Sequence, residues 1–351
     1  MKVLGIETSC DETAVAIVDG DQNIISNLVV SQIDLHKEFG GVVPEIAARN
    51  HADVLDELIK KSLSHSKLTF QDLDAIAVTA GPGLIGGVIV GLVMAKTIAS
   101  VHKKPFIAVN HLEAHALTIR LTDSIAFPYL LLLVSGGHCQ ILLAKGVGEY
   151  QKIGETIDDA LGEAFDKVAQ MLGLEYPGGP KIEEMAKNGL IDKYKLPKPL
   201  FGKKEHSCNF SFSGLKTAVR RLVEDLTGCE YDHFSSASKL SREQIADICA
   251  SFQKTVAEIL IDRLKNSLKI ISDQGIKIDN LVIAGGVAAN QYLYKMIADF
   301  GEESSLKTSA PPIKLCTDNA AMVAWVGVEK LKLGMLDQLD FAPKAKWEIS
   351  L

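Results

Sequence analysis

Residues 75–95 read Ala75-Ile76-Ala77-Val78-Thr79-Ala80-Gly81-Pro82-Gly83-Leu84-Ile85-Gly86-Gly87-Val88-Ile89-Val90-Gly91-Leu92-Val93-Met94-Ala95, 21 positions without a charge. By length alone such a run would span a bilayer. Five glycines and Pro82 divide it instead into an apolar strand (Ala75 to Thr79), a turn (Ala80-Gly81-Pro82-Gly83) and a helix of small residues, the pattern of a buried α/β layer. The same pattern recurs. Phe106 to Val109 is an apolar strand that opens a helix at His111, and Asn280 to Ala284 runs into Gly285-Gly286-Val287-Ala288-Ala289-Asn290. Strands alternating with helices predict an α/β fold with ligands at the strand ends. The second glycine turn suits a nucleotide's base or ribose lying over bare backbone, with Asn290 as a polar anchor.

Two hairpins of one design stand elsewhere. Lys2 to Glu7 enters the hydroxyl-rich tip Thr8-Ser9-Cys10-Asp11-Glu12-Thr13 and returns along Ala14 to Val18. Tyr129 to Val134 enters Ser135-Gly136-Gly137-His138 and returns along Gln140 to Ala144. The pairing predicts two halves built alike. Such tips either serve as tight turns or offer unobstructed backbone N–H groups to phosphate or carboxylate oxygens.

His111 and His115 are four residues apart, so a helix turns both imidazoles to one face, where they can take two positions on a divalent metal. Two satisfied surface histidines would show the same spacing. Glu113 lies about 200° around the helix from each and points away, which makes it a poor general base and separates this pair from the H-E-x-x-H arrangement of zinc peptidases.

The remaining chain reads as a helix over Val43 to Ser64, a helix over Glu155 to Leu172 with Asp158, Asp159, Glu163 and Asp166 on its solvent face, and a turn at Tyr176-Pro177-Gly178-Gly179-Pro180 leading to Glu183. A long amphipathic helix follows over Ile245 to Ser272. Thr317 is expected to cap an alanine-rich helix with Asp318 in its first turn, complementing the dipole. Residues 189–213 are the least regular part, an expected insertion or partner-facing loop.

With 351 residues, 47% hydrophobic and 23% charged, the composition is that of an ordinary soluble protein with room for two domains. Six cysteines without a C-x-x-C pair suggest neither a zinc ribbon nor a disulfide framework. The first strand opens at Lys2, so no signal peptide is expected, and a reducing cytoplasm without membrane attachment is the simpler reading. A net charge of −7 argues against coating nucleic acid with the whole surface. From Lys181 to Arg221, however, ten Lys or Arg face four Asp or Glu, a local +6 that can meet an anionic partner or be a solvated loop.

In this order the pieces resemble the bacterial tRNA N6-adenosine threonylcarbamoyltransferase (TsaD, glycoprotease-like) family over nearly the whole chain. The motifs that carry the resemblance are Gly5-Ile6-Glu7-Thr8-Ser9-Cys10-Asp11-Glu12-Thr13, Gly81-Pro82-Gly83-Leu84, His111-Leu112-Glu113-Ala114-His115 and Val134-Ser135-Gly136-Gly137-His138. Gly162-Glu163-Ala164-Phe165-Asp166-Lys167, Tyr176 to Pro180, Gly285 to Asn290 and Cys316-Thr317-Asp318-Asn319-Ala320-Ala321-Met322 complete the set. The resemblance implies a duplicated two-domain fold of the actin, hexokinase and Hsp70 type with the active site in the interdomain cleft. One domain would comprise residues 1–118 completed by a C-terminal helix over 317–351, and the other 119–316 with a basic insertion at about 189–215.

It implies further that His111, His115 and Asp318 hold one divalent metal ion, iron or zinc, and that Val134, Ser135, Gly136, Gly137, His138, Asp166, Gly179, Glu183 and Asn290 hold threonylcarbamoyl-AMP. The implied reaction moves the threonylcarbamoyl group to the N6 amine of the adenosine beside the anticodon in tRNAs reading codons that start with A, with release of AMP. The implied partners are tRNA and the subunits TsaB and TsaE. Cys139, Ala288 and Tyr294 depart from the family's usual threonine, serine and basic residue, which touches only details of nucleotide contact and one phosphate or tRNA contact. Two other readings stay open: a nucleotide-binding ATPase or regulatory module of the same superfamily, and a metallopeptidase. No general base can be named from the residues.

Overall fold

The protein, a computed structural model, is described at every residue except 40, 203–207, 233–235 and 350–351. It falls into two compact units. The first comprises Met1–Ala126, Gly146–Tyr150 and Pro311–Leu351, and the second Phe127–Lys145 and Gln151–Ala310.

In the first unit, β1 (Lys2–Glu7), β2 (Glu12–Asp19) and β3 (Ile24–Ser31) form an antiparallel meander, while β4 (Ala75–Gly81) and β5 (Phe106–Asn110) add in parallel on the other side of β1, giving the order β3-β2-β1-β4-β5. The helices are α1 (Ile33–His36), α2 (Pro44–Ser66), α3 (Ile85–His102) and α4 (His111–Asp123), with the last helix of the chain described below. In the second unit β6 (Tyr129–Val134), β7 (Cys139–Gly146) and β8 (Glu149–Glu155) repeat the meander, and β9 (Asn280–Ala284) and β10 (Lys307–Ser309) repeat the parallel pair, in the order β10-β9-β6-β7-β8. Around them lie α5 (Leu161–Met171), α6 (Gly178–Ala186), α7 (Ser213–Thr227), α8 (Arg242–Asp273) and α9 (Gln291–Glu303). The two sheets share one topology, as the paired hairpins predict.

Residues 75–95 divide as their glycines direct. β4 is buried throughout, and α3 turns Val88, Leu92, Ala95 and Ala99 into the core. By length and composition α3 could cross a membrane, yet its inner face packs on the sheet through Gly87 and Gly91, whose positions leave no room for a Cβ beside Thr8. Ile85, Ile89 and Val93 face outward.

The C-terminal helix, expected over 317–351, covers only Ala320–Lys332 (α10). Gly334, at φ +71°, takes the left-handed conformation that ends it, and the described residues beyond it run without helix, where Lys344 N–H donates to the Ala80 carbonyl. Its cap is Asn319, not Thr317: the Asn319 side-chain oxygen accepts from Met322 N at 3.1 Å, and its amide nitrogen donates to the Thr317 carbonyl at 2.8 Å. Asn caps as well as Thr or better, so the helix starts two residues later and Asp318 is left in the loop before it.

What brings α10 onto the sheet is Gly5. A Cβ there would stand 2.5 Å from the Ala320 carbonyl oxygen and the Ala324 nitrogen, both backbone atoms that cannot yield. Gly5→Ala should therefore lower the stability of the protein by about 1–3 kcal/mol, the usual cost of overpacking. A urea midpoint equal to that of the wild type would show that the helix can withdraw without cost.

Candidate metal centre and ligand-holding turns

Asn110 ends β5 and caps α4, its side-chain oxygen accepting from Leu112 N at 2.9 Å and Glu113 N at 3.4 Å. The helix thus begins on His111, and one turn later His115 shares its face. Asp318 reaches both from the loop before α10: its Oδ1 lies 3.0 Å from His115 Nε2 and 3.5 Å from His111 Nε2. The three donor atoms all lie within 4.8 Å of one another, with both histidines buried. All three belong to the first unit.

Behind them stands Glu7, a residue the sequence reading did not single out. It is fully buried; its Oε1 accepts from Ser9 N at 2.6 Å, and its Oε2 accepts from Thr79 Oγ1 at 2.6 Å and lies 3.0 Å from His111 Nδ1. Burial pushes its carboxyl up, and the facing His111 more than reverses this, so it is held below the usual carboxylate range. A carboxylate on Nδ1 fixes the imidazole with Nε2 toward Asp318, the orientation a metal ligand needs. Burial lowers His111 while Asp318 and Glu7 raise it to about 9. Glu12 is raised to about 9 by burial, Asp318 and Asp11. Carboxylates this close destabilise one another when ionised, and a divalent cation relieves the conflict. Two imidazoles and a carboxylate beside an acidic hairpin tip therefore fit a divalent transition metal.

Glu113 turns to the other side of α4, where its carboxylate meets Lys330 Nζ at 3.0 Å and accepts from Gly148 N at 2.7 Å.

In the second unit the structure sorts the glycines. Gly285, at φ +89°, sits against the Val134 carbonyl, and Gly162 against Ser135 and Gly136, so a Cβ at either would strike backbone. The Gly162 N–H donates to the Ser135 carbonyl at 3.1 Å, which joins the start of α5 to the hairpin tip. At Gly136, Gly137 and Gly179 a Cβ would meet nothing within 4 Å. Ser135 N–H donates to the His138 carbonyl at 2.8 Å and closes the tip. Asp166 accepts from Gly178 N at 2.8 Å, Glu183 from Gln291 N at 2.8 Å, and Asn290 caps α9 through Leu293 N at 2.9 Å while donating to Gln253 at 2.8 Å. These three side chains thus hold the turns around α5, α6 and α9. The expected helix over Glu155 to Leu172 begins only at Leu161, because Asp158 binds the start of α7: it accepts from Phe212 N at 2.8 Å and from the Ser211 and Ser213 hydroxyls at 2.6 and 2.7 Å. Asp159 pairs with Lys216 at 2.5 Å. Asp158 and Asp159, read as part of a solvent face, are engaged, and only contacts with a segment some 50 residues away reveal it; Glu163 pairs with Lys167 one turn on and keeps its exposure.

The two like sheets define a protein of the actin, hexokinase and Hsp70 superfold, and the His–His–carboxylate cluster gives it a candidate metal centre. Among solved structures, HypF from T. kodakarensis is 14% identical with a TM-score of 0.58, covering 94% of this chain and 48% of that one. The activator of the 2-hydroxyisocaproyl-CoA dehydratase from Clostridium difficile is 14% identical with a TM-score of 0.50, covering 95% and 97%. Both likenesses concern the fold. The chain itself belongs to the TsaD family of tRNA N6-adenosine threonylcarbamoyltransferases, whose sequence model matches residues 23–325. The protein of that name from Wolbachia sp. subsp. Drosophila simulans is 53% identical over 347 residues, 99% of this chain and 98% of its own.

Glu7→Gln keeps the shape of the buried side chain and removes its charge. It should weaken metal binding about 10- to 100-fold, as loss of such a supporting carboxylate does. Chelator competition reads the affinity, and an unchanged affinity in a folded variant would exclude Glu7 as the group that orients His111.

Proposed function

We infer that this chain transfers the threonylcarbamoyl group of threonylcarbamoyl-AMP to the N6 amine of the adenosine beside the anticodon, in tRNAs reading codons that start with A. The observation that carries this reading is identity of about half of all residues, end to end, with proteins of that name. In the reaction the amine nitrogen bonds to the carbamoyl carbon, the bond from that carbon to the phosphate oxygen breaks, a proton leaves the amine and AMP departs.

His111, His115 and Asp318 would hold the metal ion, iron or zinc. Bound there, it supplies Lewis-acid stabilisation of charge on the carbonyl or departing phosphate. Glu7 fixes the His111 ring, so no reorganisation is needed when charge develops. The open backbone of Gly136 and Gly137, with Val134, Ser135 and His138 around it, would receive the donor's phosphate or carbamoyl oxygens, and Gly179 leaves room beside it. Asp166, Glu183 and Asn290 support that site through the turns they hold. The donor is already activated, so positioning and electrostatics carry the step.

A magnesium-dependent ATPase is disfavoured by the two imidazoles, since magnesium selects oxygen donors. A metallopeptidase is disfavoured because Glu113 is bound to Lys330 and Gly148. A tRNA substrate supports our reading that the protein acts in the cytoplasm. We take TsaB and TsaE as its partners: a chain of net charge −7 is repelled by tRNA except locally, and the outward apolar row Ile85, Ile89 and Val93 suits a protein neighbour.

His111→Ala and Asp318→Ala should each lower bound metal and abolish formation of the modified nucleoside, with the fold intact. Metal analysis together with nucleoside chromatography, for the chain alone and with both partner subunits, checks this. Full activity and metal content in either variant would refute the site, and absence of the nucleoside from the complete wild-type system would refute the function.

A Cβ at Gly136 or Gly137 meets nothing within 4 Å, so Gly136→Val and Gly137→Val should leave stability within about 1 kcal/mol while weakening donor binding at least tenfold. Calorimetric titration with a stable adenylate analogue measures it; undiminished affinity would show that the tip does not hold the donor.

A further inference from the structure

The segment from Leu190 to Leu200 has no regular secondary structure, yet it is pinned along α8 at almost every turn of that helix. Leu190 N–H donates to Asp247 at 2.6 Å, Tyr194 N–H to Ser251 Oγ at 3.2 Å, and Arg263, itself buried, donates to the Pro199 carbonyl at 3.1 Å. Asp192 pairs with Lys254, and Lys198 with Glu258 at 2.7 Å. Positions 247, 251, 254 and 258 form one stripe of α8. Ordering an irregular strap costs roughly 1–2 kcal/mol per residue in backbone entropy, so this many anchors imply that its shape is used.

Between the strap and α7 lies a cavity of about 590 Å³, lined by Lys193, Tyr194, Lys195, Ser213, Thr217 and Arg221 among others. That volume is in the range of small-ligand sites. The anchors take the other charged residues of the strap and leave Lys193 and Lys195 over. Among the described residues, neither of these lysines nor Arg221 has a carboxylate within ion-pair distance, although Asp225 also lines the cavity. The N-terminus of α7 contributes no attraction of its own, since Asp158 already occupies it. Three cations with no carboxylate at ion-pair distance among the described residues, and an aromatic ring, in one preformed groove are the elements that hold a nucleotide strand: cations on phosphates, the ring on a base.

We propose that this groove, built by the strap Leu190 to Leu200 and α7, docks the backbone of the substrate RNA, with Lys193, Lys195 and Arg221 on its phosphates and Tyr194 beside a base. The proposal rests on tRNA being the substrate. It replaces a diffuse reading of the basic segment, whose Lys203 and Lys204 lie outside the described residues and whose Arg220 pairs with Glu224 at 3.7 Å.

The test is fluorescence anisotropy of a labelled, unmodified tRNA transcript with the full chain and its partner subunits, titrated from 50 to about 200 mM salt. The triple variant Lys193→Glu, Lys195→Glu, Arg221→Glu is compared with a triple reversal of exposed lysines in the first unit, Lys37, Lys61 and Lys346. The groove variant should lose at least tenfold in affinity, and the slope of log K against log salt should shrink by about 2, at about 0.7 per phosphate contact. Its metal content and melting temperature should match the wild type, and Tyr194→Ala should weaken binding without changing the slope. An equal loss in the control reversal would assign the effect to net charge and overturn the proposal. Displacement of the tRNA from the wild type, but not from the groove variant, by millimolar AMP would assign the groove to a free nucleotide and overturn it too. An unchanged slope in the groove variant, with the wild type still forming the modified nucleoside, overturns the groove alone; a wild type that binds no tRNA at any salt overturns both the groove and the reading it rests on.

Discussion

The first unit is organised by a carboxylate that water cannot reach. Burying the Glu7 charge costs several kcal/mol unless partners compensate, and it has three: Ser9 N from the hairpin tip, Thr79 from β4 and His111 from α4. Each must be in place for the others to be tolerated, so the carboxylate fixes two strands and a helix relative to one another. Residues 5 and 7 lie on one face of β1, and 6 and 8 on the other. Gly5 admits α10 on the first face and Glu7 binds α4 there, while Ile6 and Thr8 receive Gly91 of α3 on the opposite face. Alternation along a single strand therefore puts the helix of the two histidines and the helix preceded by Asp318 on the same side of the sheet.

Much of this was legible. Apolar runs ending in glycine-rich or hydroxyl-rich turns gave most strands of both halves, the i, i+4 spacing gave the histidine face, and the helical geometry of Glu113 correctly turned it away. What was not legible depended on contacts distant in sequence. Glu7 read as the end of an apolar strand, and its meaning requires knowing that residue 111 faces it; a lone acid closing an otherwise buried strand was the available signal. Asp158 read as a solvated acid because its partners are Ser211 to Ser213. The choice between Thr317 and Asn319 as cap could not be made from propensity, since both residues cap well. It matters, because a cap at 319 leaves Asp318 outside the helix and able to turn toward His115.

The glycines of the second unit show why motif and function are not the same thing. Gly162 and Gly285 lie against backbone, and their lack of a side chain lets α5 and the end of β9 close around the tip of the β6–β7 hairpin, while Gly178 lets α6 start against α5. Gly136, Gly137 and Gly179 have empty space above them, and packing does not account for them. A sequence motif pools both kinds; only the distance from a built Cβ to its neighbours separates the glycines that shape the site from those that leave it open.

Charge is arranged in the same local manner. The chain is acidic overall, yet its charge is not spread evenly: Asp11, Glu12 and Asp318 crowd together near the histidines, and the strap along α8 presents Lys193 and Lys195, which have no ion-pair partner among the described residues. Crowded carboxylates alone would raise one another's proton affinity and lose the charge that attracts a cation, as Glu12 does. Imidazoles add donor atoms without adding negative charge, and Glu7 places its own charge behind His111, on the side away from Asp318. The mixture of imidazole and carboxylate thus suits a candidate metal site beside an acidic hairpin tip.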